Sequence, residues 1–167
     1  MGTGKSSTGQ IIAGELHFRF IDTDQLIEER LGMSISDIFT RQGEAFFRRY
    51  ESEIVKELAQ ERGAVISTGG GLAVNPDNMA SLKTHALVVC LWASPEVIYE
   101  RVRHQSHRPL LQTPDPLQKI RELLAAREPF YKQADILTQS ASRPPRDLAL
   151  QIVRNYELRI GAQKNAS

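Results

Sequence analysis

At 167 residues, 41% hydrophobic and 25% charged, the chain has the size and apolar content of one compact domain with its own core. Twenty-one Lys and Arg against twenty Asp and Glu leave a net charge of +1, without the basic footprint of a nucleic-acid binder or an acidic tail. No apolar run approaches the ~18 residues that span a bilayer, no secretory signal opens the chain, and a single Cys90 forbids an internal disulfide, so a small-molecule partner in a reducing cytoplasm is expected, with no nucleic acid and no membrane.

Helical and strand periods alternate along the chain, the pattern of an α/β fold with a parallel sheet covered by helices. "KSSTGQIIAGEL" is helical, and "RFID" is a short strand ending in polar residues. "TDQLIEERLG" reads as a helix capped by Thr23 and closed by Gly32, and "SISDIFTRQG" as another with Ser34 and Gly43 in the same roles. Between Glu44 and Arg62, the residues Phe47, Tyr50, Ile54 and Leu58 mark one face of a longer helix, on which Arg48 and Glu51 project from one side. "AVIST" is a second strand, followed by Gly69, Gly70 and Gly71. "ALVVCLWA" is a third, apolar as a strand buried on both faces should be, with Cys90 a buried thiol. Ser94 caps and Pro95 opens the helix of "SPEVIYERVR". From His104 to Pro116 no period exists, which predicts a mobile loop. "LQKIRELLAAREPFYKQA" returns to helix, bent or ended by Pro129. A strand "DILT" and a helix from roughly Pro145 to Arg159 complete a single domain over 1–160, leaving 161–167 as a disordered tail.

The opening "MGTGKSS" sets Gly2, Gly4, Lys5 and Ser6 in the order of a phosphate-binding loop, G-x-x-x-x-G-K-[ST], whose first glycine would fall ahead of Met1. A polyphosphate asks for backbone N–H groups at a helix N-terminus, glycines that let the anion approach, and a lysine that follows its charge. Asp22 and Asp24, where a strand ends, could hold a hydrated magnesium ion and accept a proton from a substrate hydroxyl, or could cap a helix. Arg48, Arg108 and Arg127 could fork onto a carboxylate or a transferring phosphoryl group, or lie solvated at the surface. Three consecutive glycines cost backbone entropy and add nothing to a core, so the close approach of a ligand or another backbone is the economical reading. His104 and His107 have no cysteine or paired carboxylate nearby, and no zinc site is expected.

Taken in order, "GTGKS", "FIDTD", "SISDIF", "GEAFFRRYE", "ISTGGG", "RPLL" and "REPFY" resemble the shikimate kinase family across nearly the whole chain. The resemblance implies a three-layer α/β/α, P-loop nucleoside-monophosphate-kinase-like fold with a five-stranded parallel sheet. The activity it implies is transfer of the terminal phosphoryl group of ATP to the 3-hydroxyl of shikimate, on the route to chorismate and the aromatic amino acids. Gluconate-type kinases and a non-catalytic binding module on the same fold are the alternative readings.

The resemblance also implies residue roles. Lys5, Asp24 and Arg108 make the catalytic set, with Asp24 gripping the shikimate hydroxyl as base and Arg108 entering from a lid over about 104–115. Gly2, Thr3, Gly4, Lys5, Ser6 and Ser7 form the nucleotide loop. Ser6 binds Mg2+ directly, and Asp22 reaches it through water. Arg48 and Arg127 clamp the substrate carboxylate, while Gly69, Gly70 and Gly71 let the ring lie against the backbone. Arg101 stacks on adenine, and Arg143 forms the other side of that slot. A monomer with shikimate and Mg·ATP as partners is expected. In the family a buried central strand precedes "GTGKS", so Met1 aligns with an internal methionine. Losing that strand removes ~8 to 15 kcal/mol, a whole domain's stability. The expectation is therefore that the natural protein carries roughly ten more residues ahead of Met1, and that the chain as written has a gap in its sheet and weak or no activity.

Overall fold

The computed structural model describes residues 2–103, 113–141 and 143–164. Helix α1, Lys5–Leu16, starts at Gly4 and ends where His17 turns left-handed at φ 54°. Strand β1, Arg19–Asp22, leads straight into α2, Thr23–Leu31, which closes at Gly32 with φ 61°. Asp22 caps α2, not Thr23: its Oδ1 accepts from the amides of Asp24 and Gln25. Thr23 is fully buried, and its hydroxyl is turned to a different backbone group, described below.

Helix α3, Ile35–Leu58, is capped by Ser34, whose Oγ accepts from the Asp37 amide at 3.1 Å. Gly43 interrupts it at φ 81° and ψ 164°, a kink that only glycine takes without strain, so the two expected helices exist as two arms of one run. The second arm ends at Leu58, earlier than Arg62, because Gln60 and Glu61 turn back onto Glu57 and Leu58. Strand β2, Ala64–Ser67, is followed by the three glycines and a 3₁₀ turn, Leu72–Val74. Helix α4, Pro76–His85, was not anticipated, although Asn75 caps it and Pro76 fills its first turn.

Strand β3 is Val89–Trp92, and α5, Pro95–Val102, is capped by Ser94. Helix α6, Pro116–Tyr131, passes through Pro129, which lacks the amide that would donate to the Ala125 carbonyl, and the helix ends two residues later. Strand β4 is Ile136–Gln139. Helix α7, Pro145–Lys164, continues past Arg159 into the segment expected to be a tail; Gly161 inside it is a tolerable cost in a helix already packed along α1. Among the described residues no helix is long and apolar enough to cross a membrane.

The strands pair in parallel twos. β1 runs beside β2 with Asp22 opposite Ser67, and β3 beside β4 with Trp92 opposite Gln139. Among the described residues no ladder joins the two pairs, which is the interruption expected of the sheet. It corrects one reading: Leu91 is buried, but Val89, Cys90 and Trp92 are half-buried, so β3 is not covered on both faces and Cys90 is not a fully buried thiol. A cleft opens against β3 instead.

Apolar packing is divided among four clusters in the described residues. One joins α2 and α3 through Ile27, Ile38, Phe47 and Ile54. A second joins α5 and α6 through Ile98, Val102 and Ile120. Smaller ones lie under the 3₁₀ turn (Val55, Leu72, Leu82) and between β3 and α7 (Leu91, Leu148, Ile152).

Candidate active site

Gly4 enters α1 at φ 85°, a conformation that positions the chain across the helix end and that L-residues rarely adopt. It offers no capping side chain, and the first turn carries no acidic residue. The first amides of α1, with the positive end of the helix dipole, are left to receive an anion. Thr3 is buried behind the loop, Ser7 is exposed on the first turn, and Lys5 points into the cleft beside β3.

The register of β1 with β2 brings three oxygen-bearing side chains together at the foot of α1. Ser6 Oγ donates to Asp22 Oδ2 at 2.8 Å and lies 3.4 Å from Ser67 Oγ. Because Asp22 Oδ1 is committed to capping α2, one carboxylate oxygen faces the phosphate loop. A hydroxyl and one carboxylate oxygen fit Mg2+, which keeps several waters and completes its shell with substrate phosphates. Among the described residues there is no group of three or more His, Cys, Asp or Glu that would form a self-sufficient metal cage.

Each glycine of the triple run has its own neighbour. A Cβ on Gly69 would lie 2.7 Å from Asp24 Oδ1 and 2.9 Å from Glu51 Oε1. The Gly69 amide donates to Thr23 Oγ1 at 3.3 Å, which is the work of the threonine displaced from capping. The Gly70 carbonyl accepts from Tyr131 Oη at 2.6 Å. A Cβ on Gly71 would overlap the Arg48 guanidinium. The close approach anticipated for this segment is therefore made by two carboxylates, a phenol and a guanidinium.

Arg48 is held from both sides. Its NH1 donates to Glu51 Oε2 at 2.6 Å and its NH2 to Glu44 Oε1 at 2.8 Å, while the guanidinium lies 5.2 Å from the Phe47 ring centroid and 5.9 Å from that of Phe39. Burial works against its charge, and Glu51 and Glu44 outweigh it, so its pKa is raised. Glu51 is 1% exposed at the side chain, and among the described residues its Oε1 accepts no hydrogen bond. Burial pushes this carboxyl above the ordinary glutamate range and Asp24 adds to the push, against the pull of Arg48 and Arg127. Sequence reading set Glu51 beside Arg48 on one side of the helix from their three-residue spacing but gave it no part in the site.

Lys5, Gly69, Gly70, Arg127 and Tyr131 line one cleft, floored by Leu72, Leu82, Val89 and Leu91. The structure thus brings Lys5, Gly69, Gly70 and Arg127 together, with Asp24 and Glu51 against Gly69 and Arg48 against Gly71. Arg101 sits elsewhere: its guanidinium donates to the Gly2 carbonyl at 3.3 Å and to the Ser140 carbonyl at 3.0 Å, tying the phosphate loop to the segment after β4. Arg143, three residues beyond Ser140, is exposed and hydrogen-bonded to Gln151 on α7. Arg108 and most of the expected lid, 104–112, lie outside the described residues.

The protein-family model described as shikimate kinase matches residues 1–157. A shikimate kinase of Thermodesulfovibrio yellowstonii is 42% identical over 157 residues, covering 94% of this chain and 91% of the relative. One from Thermus thermophilus is 46% identical over 154 residues, covering 92% and 84%. Among solved structures, a shikimate kinase from Acinetobacter baumannii in complex with shikimate superposes with a TM-score of 0.91 at 35% identity, covering 95% of this chain and 89% of the other.

Proposed function

The chain belongs to the shikimate kinase family, and from that premise we propose that it transfers the γ-phosphoryl group of ATP to the 3-hydroxyl of shikimate. The observation that carries this reading is the glycine segment: Gly69 and Gly70 share a cleft with the phosphate-loop Lys5 and Arg127, and Gly71 lies against Arg48, the partner of the buried Glu51. Phosphoryl transfer asks a protein chiefly for positioning and positive charge, and these residues supply both.

In this reading the α1 amides, with Gly2, Thr3, Gly4, Lys5, Ser6 and Ser7, bind the triphosphate, and Lys5 follows charge onto the transferring group. Ser6 and Asp22 would hold Mg2+, which neutralises phosphate charge when bound. Arg48 and Arg127 fork onto the carboxylate of the acid, a ring resting against Gly69, Gly70 and Gly71 would present its hydroxyl to Asp24, and Asp24 takes the proton as the hydroxyl attacks. Arg108 would meet the transferring phosphoryl group, with Arg101 and Arg143 flanking adenine. The protein acts in the cytoplasm as a monomer. A coupled ADP-release assay of the natural protein with shikimate and with gluconate tests the function. ADP release with shikimate and not with gluconate is expected; release with gluconate alone, or shikimate binding without ADP release, refutes it.

A further inference from the structure

Three successive glycines have more backbone freedom than any other tripeptide, so a segment that must present a fixed wall to a ligand needs an outside restraint. At Gly70 that restraint is Tyr131. Its hydroxyl donates to the Gly70 carbonyl at 2.6 Å, between the glycine packed on Asp24 and Glu51 and the glycine lying under Arg48. Tyr131 follows Arg127 by four residues on α6, which puts both on one helix face, and both line the cleft. The far side of the ring is fixed edge-on to Trp92, at 6.4 Å and 75°. Burial raises the phenol pKa against the pull of Arg127, so it remains a donor at neutral pH.

We propose that Tyr131 is a positioning residue for the acid substrate. By pinning the Gly70 carbonyl to α6, it fixes the separation between Arg127 and the glycine wall on which Arg48 rests, and so the geometry of the two-arginine carboxylate grip. This deepens the shikimate kinase reading and rests on it. The hydrogen bond joins the two walls that would hold the acid and does not touch the nucleotide loop at the start of α1.

Tyr131→Phe removes one oxygen and keeps the ring against Trp92. The expected result is a rise of about tenfold in KM for shikimate, with KM for ATP within about twofold of wild type and melting lowered by no more than a few degrees. Unchanged KM for both substrates overturns the proposal, and so does a parallel change in both KM values together with lowered melting, the mark of a general structural role. Should Y131F fail to fold, an isosteric fluorinated tyrosine at 131 loses its proton at lower pH. Arg127, Arg48 and Cys90 face the phenol equally in both proteins. A shikimate KM that climbs with pH faster than in wild type supports the role, and parallel profiles refute it. Trp92 is the sole tryptophan, so its fluorescence reads shikimate binding without turnover. A wild type that neither binds nor phosphorylates shikimate overturns the function itself; a wild type that binds it no better than Y131F overturns only the role of Tyr131.

Discussion

At Glu51 a carboxylate almost without solvent is held by one guanidinium, and its folded pKa is raised above the unfolded value by burial first. The folded state therefore holds this proton more tightly than the unfolded chain. The stability contributed by the group is complete below the ordinary glutamate range and is lost as pH rises through its raised value. Glu51→Gln, neutral at every pH, should match wild type in urea midpoint at acid pH and gain on it toward neutrality; a gap that narrows with rising pH refutes this. Asp24→Asn keeps the shape that faces Gly69 and removes the base, so turnover should fall by about a hundredfold or more with KM for ATP unchanged. Near-normal turnover removes Asp24 from the mechanism. Gly71 has ordinary backbone angles, φ −86° and ψ −19°, so Gly71→Ala strains nothing in the backbone and acts on Arg48 alone. KM for shikimate should rise by about tenfold and melting should fall, because a displaced guanidinium loses its fork geometry and leaves the buried Glu51 without its partner; unchanged values for both refute this.

Helix caps carry chemistry as well as stability here. Asp22 gives one oxygen to the N-terminus of α2 and turns the other toward Ser6. Asn caps as well as Asp, whereas Ala costs about 1 kcal/mol. Asp22→Asn should melt like wild type yet need several times more Mg2+, and Asp22→Ala should lose stability as well; a D22N variant with unaltered Mg2+ dependence excludes the carboxylate from the metal site. The elements read correctly in the sequence were those with both a period and punctuation, such as α1 behind Gly4 and α5 behind Ser94 and Pro95. Helix α4 was missed because its core contact is confined to Met79 and Leu82, too few apolar positions for a period, although Asn75 and Pro76 mark its start. The motif residues Lys5, Asp24, Arg48 and Arg127 could be named from order and spacing, since local chemistry selects them. The roles of Thr23, Glu51 and Tyr131 could not, because each is defined by a glycine distant in sequence: Thr23 and Glu51 by Gly69, Tyr131 by Gly70.

On the scale of the molecule, the buried apolar side chains among the described residues fall into several small clusters. Leu148, 1% exposed between α7 and β3, is a seam residue, and Leu148→Ala should cost about 2 to 5 kcal/mol in urea unfolding. A loss well under 1 kcal/mol would mean that α7 is not part of the cooperative unit. Arg48 rests on Phe47 of the α2 and α3 cluster, whereas Arg127 stands one turn beyond Leu124 of the α5 and α6 cluster. A carboxylate gripped by both would join these two clusters across the glycine segment. Saturating shikimate should raise the melting temperature, since a ligand that binds the folded chain alone adds its binding free energy to stability; no shift would mean the acid is not held by the fold. Occupied molecules would then outlast empty ones under a protease that cuts only the opened chain, because the bound acid holds back the opening.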